Sequence, residues 1–243
     1  MLSRFLNGLY DRASRLNRAN IIELVRESGG DGGSLLDLGC DDGSWTMELA
    51  KACKARSVFG VEKVEDAARR AEDRGLTVFR VDLNAHLDEL GTDQFDIVHA
   101  NQVIEHVTNV DLFVAETFRI LKPGGWAVVS TENGSSWHNV FAAIMGWQIF
   151  SSTNISEKMS GLGNPCALHR GKPPYMGTWT HKTIFNYRGL IEIFKAHAFQ
   201  RIEVAGAGYF PLPAYLGRLD PRHSAFITVR AQKPIDINQR TAS

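Results

Sequence analysis

The chain has 243 residues, enough for one large α/β domain or two small ones. Lys+Arg and Asp+Glu balance at 27 each, so no polyanion-binding surface is indicated and no nucleic-acid partner is expected. The three cysteines, Cys40, Cys53 and Cys166, are odd in number and form no CxxC pair, so neither a disulfide framework nor a metal site is expected.

Hydrophobic residues make up 44% and charged residues 22%, which is ordinary globular composition with enough apolar side chains for a sizeable core. The opening "MLSRFLNGLYDRASRLNRAN" carries arginines throughout and lacks the apolar centre of a secretory signal. No apolar run approaches the roughly 20 residues that span a bilayer. The expectation is a cytoplasmic protein with no stable membrane insertion.

In chain order, Phe5, Leu9, Leu16, Ile21, Leu24 and Val25 recur at helical spacing, predicting one or two helices ended by "GGDGG" at Gly29 to Gly33. "SLLDL" reads as a short buried strand, "SWTMELAKACKA" as a helix and "SVFGVE" as a strand. "VEDAARRAEDRG" reads as a helix closed by Gly75, and "LTVFRVDL" and "QFDIVHAN" as strands. The helical "NVDLFVAETFRILKPGG" stops at Pro123 and Gly124, and "WAVVST" is a fifth strand. Strands alternating with helices predict βαβ units and a mostly parallel, doubly wound sheet.

The alternation breaks after Thr131. Residues 134–180 carry glycines, prolines and tryptophans, and only "NVFAAIMGWQIF" looks helical. That stretch is too long for a plain connection and is expected to be a lid or insert. The helix "TIFNYRGLIEIFKAHAF" and the strands "RIEVAGAGYF" and "SAFITVRAQKP" resume the pattern. The expected organisation is a helical cap over 1–33, a core over 34–133, the insert over 134–180, the rest of the core sheet over 181–234 and a polar tail over 235–243.

The turn after the first strand, "DLGCDDG", holds three acids (Asp37, Asp41, Asp42) and two glycines (Gly39, Gly43). In an open parallel sheet, ligands bind at the carboxyl ends of the strands. Glycine lets a ligand approach the backbone, and aspartate tolerates the left-handed conformation. The turn lacks the Gly-Lys-Ser/Thr of a phosphate loop and the GxGxxG of a dinucleotide fold. A pyrophosphate is repelled by three carboxylates; a ligand carrying positive charge is not. Glu62 ends the second strand, where an acid takes ribose hydroxyls, and Asp82 ends the third, within reach of an adenine amino group.

"LLDLGCDDG", "VFGVE", "FRVDL", "FDIVHANQVIEHV" and "LKPGGWAVVS" together resemble the successive motifs of the class I S-adenosylmethionine-dependent methyltransferases, in the branch that acts on small molecules and lipids. The resemblance covers Ser34 to Thr131 closely and residues 134–180 not at all. It implies a seven-stranded Rossmann-like sheet whose last strand is antiparallel. It implies S-adenosyl-L-methionine as cofactor and S-adenosyl-L-homocysteine as product. Asp37 and the turn with Gly39, Asp41 and Gly43 would hold the methionine end, Glu62 would hold the ribose, and Asp82 and the backbone of Leu83 would read adenine. The backbone carbonyl of Asn101 would meet the cofactor's amino group, Lys63 and Val103 would complete the cofactor site, and Gln102 to Val107 would border the substrate. Asp41 stands where the family commonly has glycine.

An oxygen nucleophile needs placement in line with the sulfonium methyl and usually a general base, a task that suits histidine. Of the eight histidines, His106 and His181 are the candidate catalytic residues, each with helix or loop bracing as the bland alternative. Glu105, His138 and Trp179 are candidate substrate contacts; for Glu105 a supporting hydrogen bond is the bland alternative. His99 is expected to be core. The leading function is O-methylation of a sugar- or lipid-linked hydroxyl on a small-molecule acceptor, with a homodimer as the candidate assembly. A catalytically silent cofactor-binding partner subunit, motivated by Asp41, is the alternative. A nicotinamide-dependent oxidoreductase is disfavoured by the glycine spacing and the surplus of acids.

Overall fold

The computed structural model describes residues 2–30, 32–172 and 180–235, with side chains from residue 6. Helix α1 (Leu2–Ser28) is followed by β1 (Ser34–Leu38), α2 (Ser44–Cys53), β2 (Ser57–Val61), α3 (Glu65–Asp73), β3 (Thr77–Phe79), β4 (Phe95–Asn101), α4 (Val110–Ile120) and β5 (Leu121–Glu132). Then come α5 (Trp137–Ile144), α6 (Tyr187–Ala196), β6 (Gln200–Ala207), α7 (Leu216–Leu219) and β7 (Phe226–Gln232). The seven strands form one sheet in the order β3-β2-β1-β4-β5-β7-β6. Pairing is parallel from β3 to β5, and β7 runs antiparallel to both β5 and β6. The expected sheet, with its antiparallel last strand, is present.

Alternation along the strands divides the core. Leu36, Leu38, Val98, Ala127, Val129, Ile227 and Val229 face one way and pack with Phe113 and Val114 of α4 and Leu190 and Phe194 of α6. Leu35, Ile97 and Val128 face the other way, against Ile21 and Val25 of α1 and Leu49 of α2. The same parity sends Asp37, His99, Ser130 and Thr228 toward the α1 side. The sheet is apolar on both faces, but at the carboxyl end of its centre one face turns polar.

Helix α1 is a single helix and packs against α2, β5, β6 and β7. Its buried row mixes Ala13, Ile21 and Val25 with Asn17 and Asn20. Asn17 Nδ2 donates to Ser130 Oγ (2.9 Å), and Thr228 Oγ1 donates to Asn17 Oδ1 (3.1 Å). Asn20 Nδ2 donates to the Gly206 carbonyl, and Arg218 Nε donates to Asn20 Oδ1. Both amides fix the rotation of α1 over the polar patch, because a buried amide cannot lose its partners cheaply.

Several element ends differ from the sequence expectation. β3 stops at Phe79 rather than running to Leu83, because Arg80 turns back to Glu65 and Glu72 and Asp82 engages Lys63 and Asn84. α4 ends at Ile120, before Pro123, since Leu121 already pairs with Phe95 of β4. α6 starts at Tyr187, not Thr183: the amide of Thr183 donates to the Glu105 carbonyl, and the carbonyl of Phe185 receives the amide of Gly134. The helix expected through Phe150 ends at Ile144, and Gly146 turns the chain with φ 70° before a short 3₁₀ turn at Phe150–Ser152. No helix among the described residues is long and apolar enough to cross a membrane.

Asn17→Ala leaves the buried Ser130 and Thr228 hydroxyls short of a partner, at a cost of about 1–3 kcal/mol. The expected outcome is a lower urea midpoint with an unchanged m-value; an unchanged midpoint would show that Asn17 does not anchor α1.

Candidate active site

β1 delivers Asp37 to the α1 side of the sheet, where its side chain is almost fully buried. Such a carboxylate needs hydrogen bonds, and both oxygens have one. Thr46 Oγ1, from the first turn of α2, donates to Oδ2 at 2.5 Å. His99 Nδ1, from the directly paired position of β4, donates to Oδ1 at 2.7 Å. The expected acid of the cofactor site is therefore tied to the protein through two side chains, Thr46 and His99, whose roles the sequence reading did not identify.

The turn after β1 is held by the Gly39 and Cys40 amides, which both donate to the Val61 carbonyl. Gly39 has φ 79°, and a Cβ there would lie 2.9 Å from Val103 Cγ2, so a side chain is excluded by conformation and by space. Gly43 has φ 75° and packs on Ala71 of α3. Asp41 adopts φ 48°, and its amide donates to Glu62 Oε2 at 3.0 Å. An aspartate at this position is accommodated in the left-handed region, and the turn closes around it.

The three acids of the turn do different things. Asp37 is inside. Asp42 accepts from the Ser44 amide at 3.0 Å at the start of α2 and pairs with Arg74, and the Ser44 bonds hold its carboxyl below the usual range. Asp41 is exposed, 4.0 Å from Arg70. Glu62 also receives the Val64 amide at Oε1 (2.8 Å). Asp82 accepts from Lys63 Nζ (2.6 Å) and from the Asn84 amide, and these bonds lower its carboxyl to about 2. Leu83 is half-buried against the core.

At Asp37 lies a cavity of about 340 Å³ lined by Tyr10, Ser14, Asn17 and Arg18 of α1, Asp37 itself, Gly39, Cys40 and Asp41 of the turn, Trp45, His99, Asn101, Gln102 and Phe226. Four buried polar atoms on its wall have no hydrogen-bond partner among the described residues: Trp45 Nε1, His99 Nε2, Asn101 Oδ1 and Gln102 Nε2. Buried polar groups are rarely left unpaired, so the set points to a ligand with both donors and acceptors. The Arg18 guanidinium lies 4.2 Å over the Trp45 ring at the same wall. One formal cation, two neutral donors and two neutral acceptors suit an amino-acid zwitterion.

A second cavity, of about 420 Å³, adjoins the first and shares Tyr10 and Phe226 with it. Leu6, Leu9, Trp137, Phe141, Trp147 and Phe150 make its wall mostly apolar. Histidines 138 and 169 and Glu132 also line it. His138 sits between Phe150 and Phe210, ring centroids 5.3 and 4.9 Å away. Burial lowers its pKa to about 4, and its Nδ1 has no partner among the described residues.

Glu105, His106 and His181 come together outside this wall. Thr131 Oγ1 donates to Glu105 Oε2 at 2.9 Å, and the amides of Lys182 and Thr183 donate to the Glu105 carbonyl. Burial raises the Glu105 carboxyl to about 8. The His106 and His181 rings meet edge-on at 4.8 Å, their Nδ1 atoms donating to the carbonyls of Thr180 and Ser151. Burial and the neighbouring His181 lower His106 to about 4. One ligand atom from each of the three residues lies within 4.8 Å of the others, a grouping able to hold a metal ion that the sequence reading did not anticipate. Trp179 lies outside the described residues.

The turn and the unpaired polar groups thus lie together at the carboxyl ends of β1 and β4, where doubly wound sheets bind their ligands. The chain belongs to the methyltransferase-domain family, whose family model matches residues 10–204, and its cofactor is S-adenosyl-L-methionine. Among curated proteins it is similar to the mitochondrial ubiquinone biosynthesis O-methyltransferase of Rattus norvegicus, at 26% identity over 72% of this chain and 57% of that one. It is also similar to the ubiquinone biosynthesis O-methyltransferases of Brucella anthropi (36% identity, 42% of each chain) and Rickettsia prowazekii (30% identity, 58% of this chain and 59% of that one). The chain thus spans about half the length of these relatives. A solved S-adenosylmethionine-dependent methyltransferase of Thermotoga maritima, a possible histamine N-methyltransferase, has the same fold with TM-score 0.58 at 20% identity, covering 95% of this chain and 97% of that one.

Arg18→Gln removes the cation that lies over Trp45 at the wall of the polar cavity. The expected outcome by titration calorimetry is roughly tenfold weaker binding of S-adenosylhomocysteine, the weight of one charge-assisted hydrogen bond, with methylthioadenosine, which lacks the amino acid, unaffected. Equal weakening of both ligands would place Arg18 elsewhere.

Proposed function

We propose that the chain transfers a methyl group from S-adenosyl-L-methionine to a hydroxyl oxygen on an apolar small-molecule or lipid-linked acceptor. The observation that carries this reading is the apolar cavity of about 420 Å³ that meets the cofactor cavity at Tyr10 and Phe226. Its size suits a drug-sized ligand, and its lining suits an aromatic ring or a prenyl chain better than a sugar. Phe141, Ile144 and Met145 of α5 stand exposed beside it, an apolar rim for an apolar acceptor. The similarity to ubiquinone biosynthesis O-methyltransferases supports oxygen as the methylated atom.

When bound, the cofactor supplies a methyl group made electrophilic by its sulfonium sulfur. The methionine end would lie among Arg18, Gly39, Trp45, His99, Asn101 and Gln102. Glu62 and Lys63 would border the ribose, and Asp82 and Leu83 the adenine. Tyr10 and Phe226 separate the two cavities and exclude water where they meet.

His138 is the group we assign to the acceptor hydroxyl. Its Nε2 is 3.4 Å from Ser136 Oγ, so an Nε2–H toward the serine leaves Nδ1 as a bare acceptor. The depressed pKa keeps the ring neutral at physiological pH. Nδ1 can then take the hydroxyl hydrogen and turn an oxygen lone pair toward the methyl group. Glu105, His106 and His181, in this reading, brace residues 180–183 against the loop after β4, outside the wall of the apolar cavity. The silent-partner alternative loses its motive, since the turn forms with Asp41 in place.

The test is formation of S-adenosylhomocysteine and a methyl ether from a prenylated dihydroxybenzene. His138→Phe should lower kcat/KM by about 10²–10⁴, the usual worth of a positioned acid–base group. A rate unchanged in that variant would remove His138 from the reaction, and transfer to amines but not hydroxyls would overturn O-methylation.

The same residue sets a pH dependence of stability. A histidine whose folded pKa, about 4, lies below its unfolded value of 6.5 contributes stability that is present above 6.5 and lost as pH falls toward 4. His138→Phe should therefore show a shallower fall in urea midpoint between pH 6.5 and 4 than the parent.

A further inference from the structure

We propose that His99, and not Asp37, is the residue that receives the α-ammonium of the cofactor, with Asp37 acting through it as a positioning residue. The starting point is the occupancy of the carboxylate. Asp37 Oδ2 takes the Thr46 hydroxyl and Oδ1 takes His99 Nδ1–H, and the side chain has almost no exposed surface. Asp37 and His99 both line the cavity, but each Asp37 oxygen already accepts a hydrogen bond, whereas His99 Nε2, on the far edge of a ring that is itself 1% exposed, has no partner among the described residues.

The bond to Asp37 decides which nitrogen carries the proton. A carboxylate can only accept, so Nδ1 is the donor, and the neutral ring then presents Nε2 as a lone pair. A carboxylate behind an imidazole also strengthens the opposite nitrogen as an electron-pair donor, as it does for histidines that bind metals. Asp37 thereby makes Nε2 a stronger hydrogen-bond acceptor toward the cavity while its own charge stays on the buried carboxylate.

The other groups on the wall sort by the same rule. Trp45 Nε1 donates only, the Arg18 guanidinium donates only, and Gln102 Nε2 donates. Those three suit a ligand carboxylate. His99 Nε2 and Asn101 Oδ1 are the acceptors in the unpartnered set, and they suit an ammonium with three hydrogens. If Nε2 were protonated, it would add a fourth donor and leave Asn101 Oδ1 as the one unpartnered acceptor in that set.

This inference rests on the cofactor assignment, and the experiment separates the two. S-Adenosylhomocysteine and its analogue lacking the α-amine are titrated calorimetrically into the parent, His99→Gln and His99→Phe. The parent should prefer the complete ligand at least tenfold. His99→Phe should reduce that preference to threefold or less while binding the deaminated analogue as the parent does. His99→Gln, whose amide oxygen can reach toward the position of Nε2, should restore part of the preference. In parallel, nitrogen NMR of the parent should find Nε2 unprotonated, with its resonance shifting on addition of S-adenosylhomocysteine and not on addition of the deaminated analogue. This measurement decides the matter even if His99→Phe does not fold. A proton on Nε2, or a preference for the amine that survives in His99→Phe, would overturn the proposal. A parent that binds neither ligand would overturn the cofactor assignment itself.

Discussion

The structure depends on a carboxylate buried at the end of its central strand. A charge in that position is tolerated only if the surrounding elements bring hydrogen bonds to it, and two do: α2 through Thr46 and β4 through His99. Those bonds tie the start of α2 and the register of β1 with β4 to one point. The turn between β1 and α2 must then pass over β2, and its two amides on the Val61 carbonyl do so. The polar cavity at Asp37, proposed above to take the cofactor, is the space this arrangement leaves under α1.

Helix α1 makes the site possible because it does not pack on hydrocarbon alone. Asn17 and Asn20 replace apolar residues in its buried row and reach Ser130, Thr228 and Gly206 across the sheet. One end of the helix seals the apolar cavity with Leu6, Leu9 and Tyr10; its middle closes the polar cavity with Tyr10, Asn17 and Arg18. One element therefore walls both cavities, and Tyr10 stands where they meet. A rigid connection of this kind suits a reaction in which placement supplies much of the rate.

Acid residues near the site divide between charge and scaffold. Asp42, Glu62 and Asp82 each accept backbone amides within the loops that carry them, and Glu105 is held by Thr131 in a setting that raises its pKa to about 8. Loops that face a ligand carry such internal bonds because their own backbone groups lack strand partners. The apolar cavity contrasts with this. There the polar groups are few, and the neutral His138 set among aromatic rings is one of them.

Much of the fold was legible in the sequence. Alternating apolar runs and helical periods located all seven strands and the longer helices between them, because burial of one face imposes a period that survives in a single chain, while the four-residue α7 was too short to show one. The acids at the strand ends and the Gly39–Gly43 turn were legible for a related reason: special backbone conformations and buried charge restrict residue choice. The ends of β3, α4 and α6 were not, since ion pairs and backbone bonds to distant residues decided them. His99 read as core, and Arg18 as one more arginine on a helix, until the pairing of β1 with β4 and the docking of α1 brought both to one cavity. By itself the sequence determined the sheet, its turn and the cofactor class, all of which rest on local patterns. The tertiary structure alone decided which groups line the polar cavity and that the adjoining cavity is apolar, because those depend on contacts between residues that the chain holds far apart.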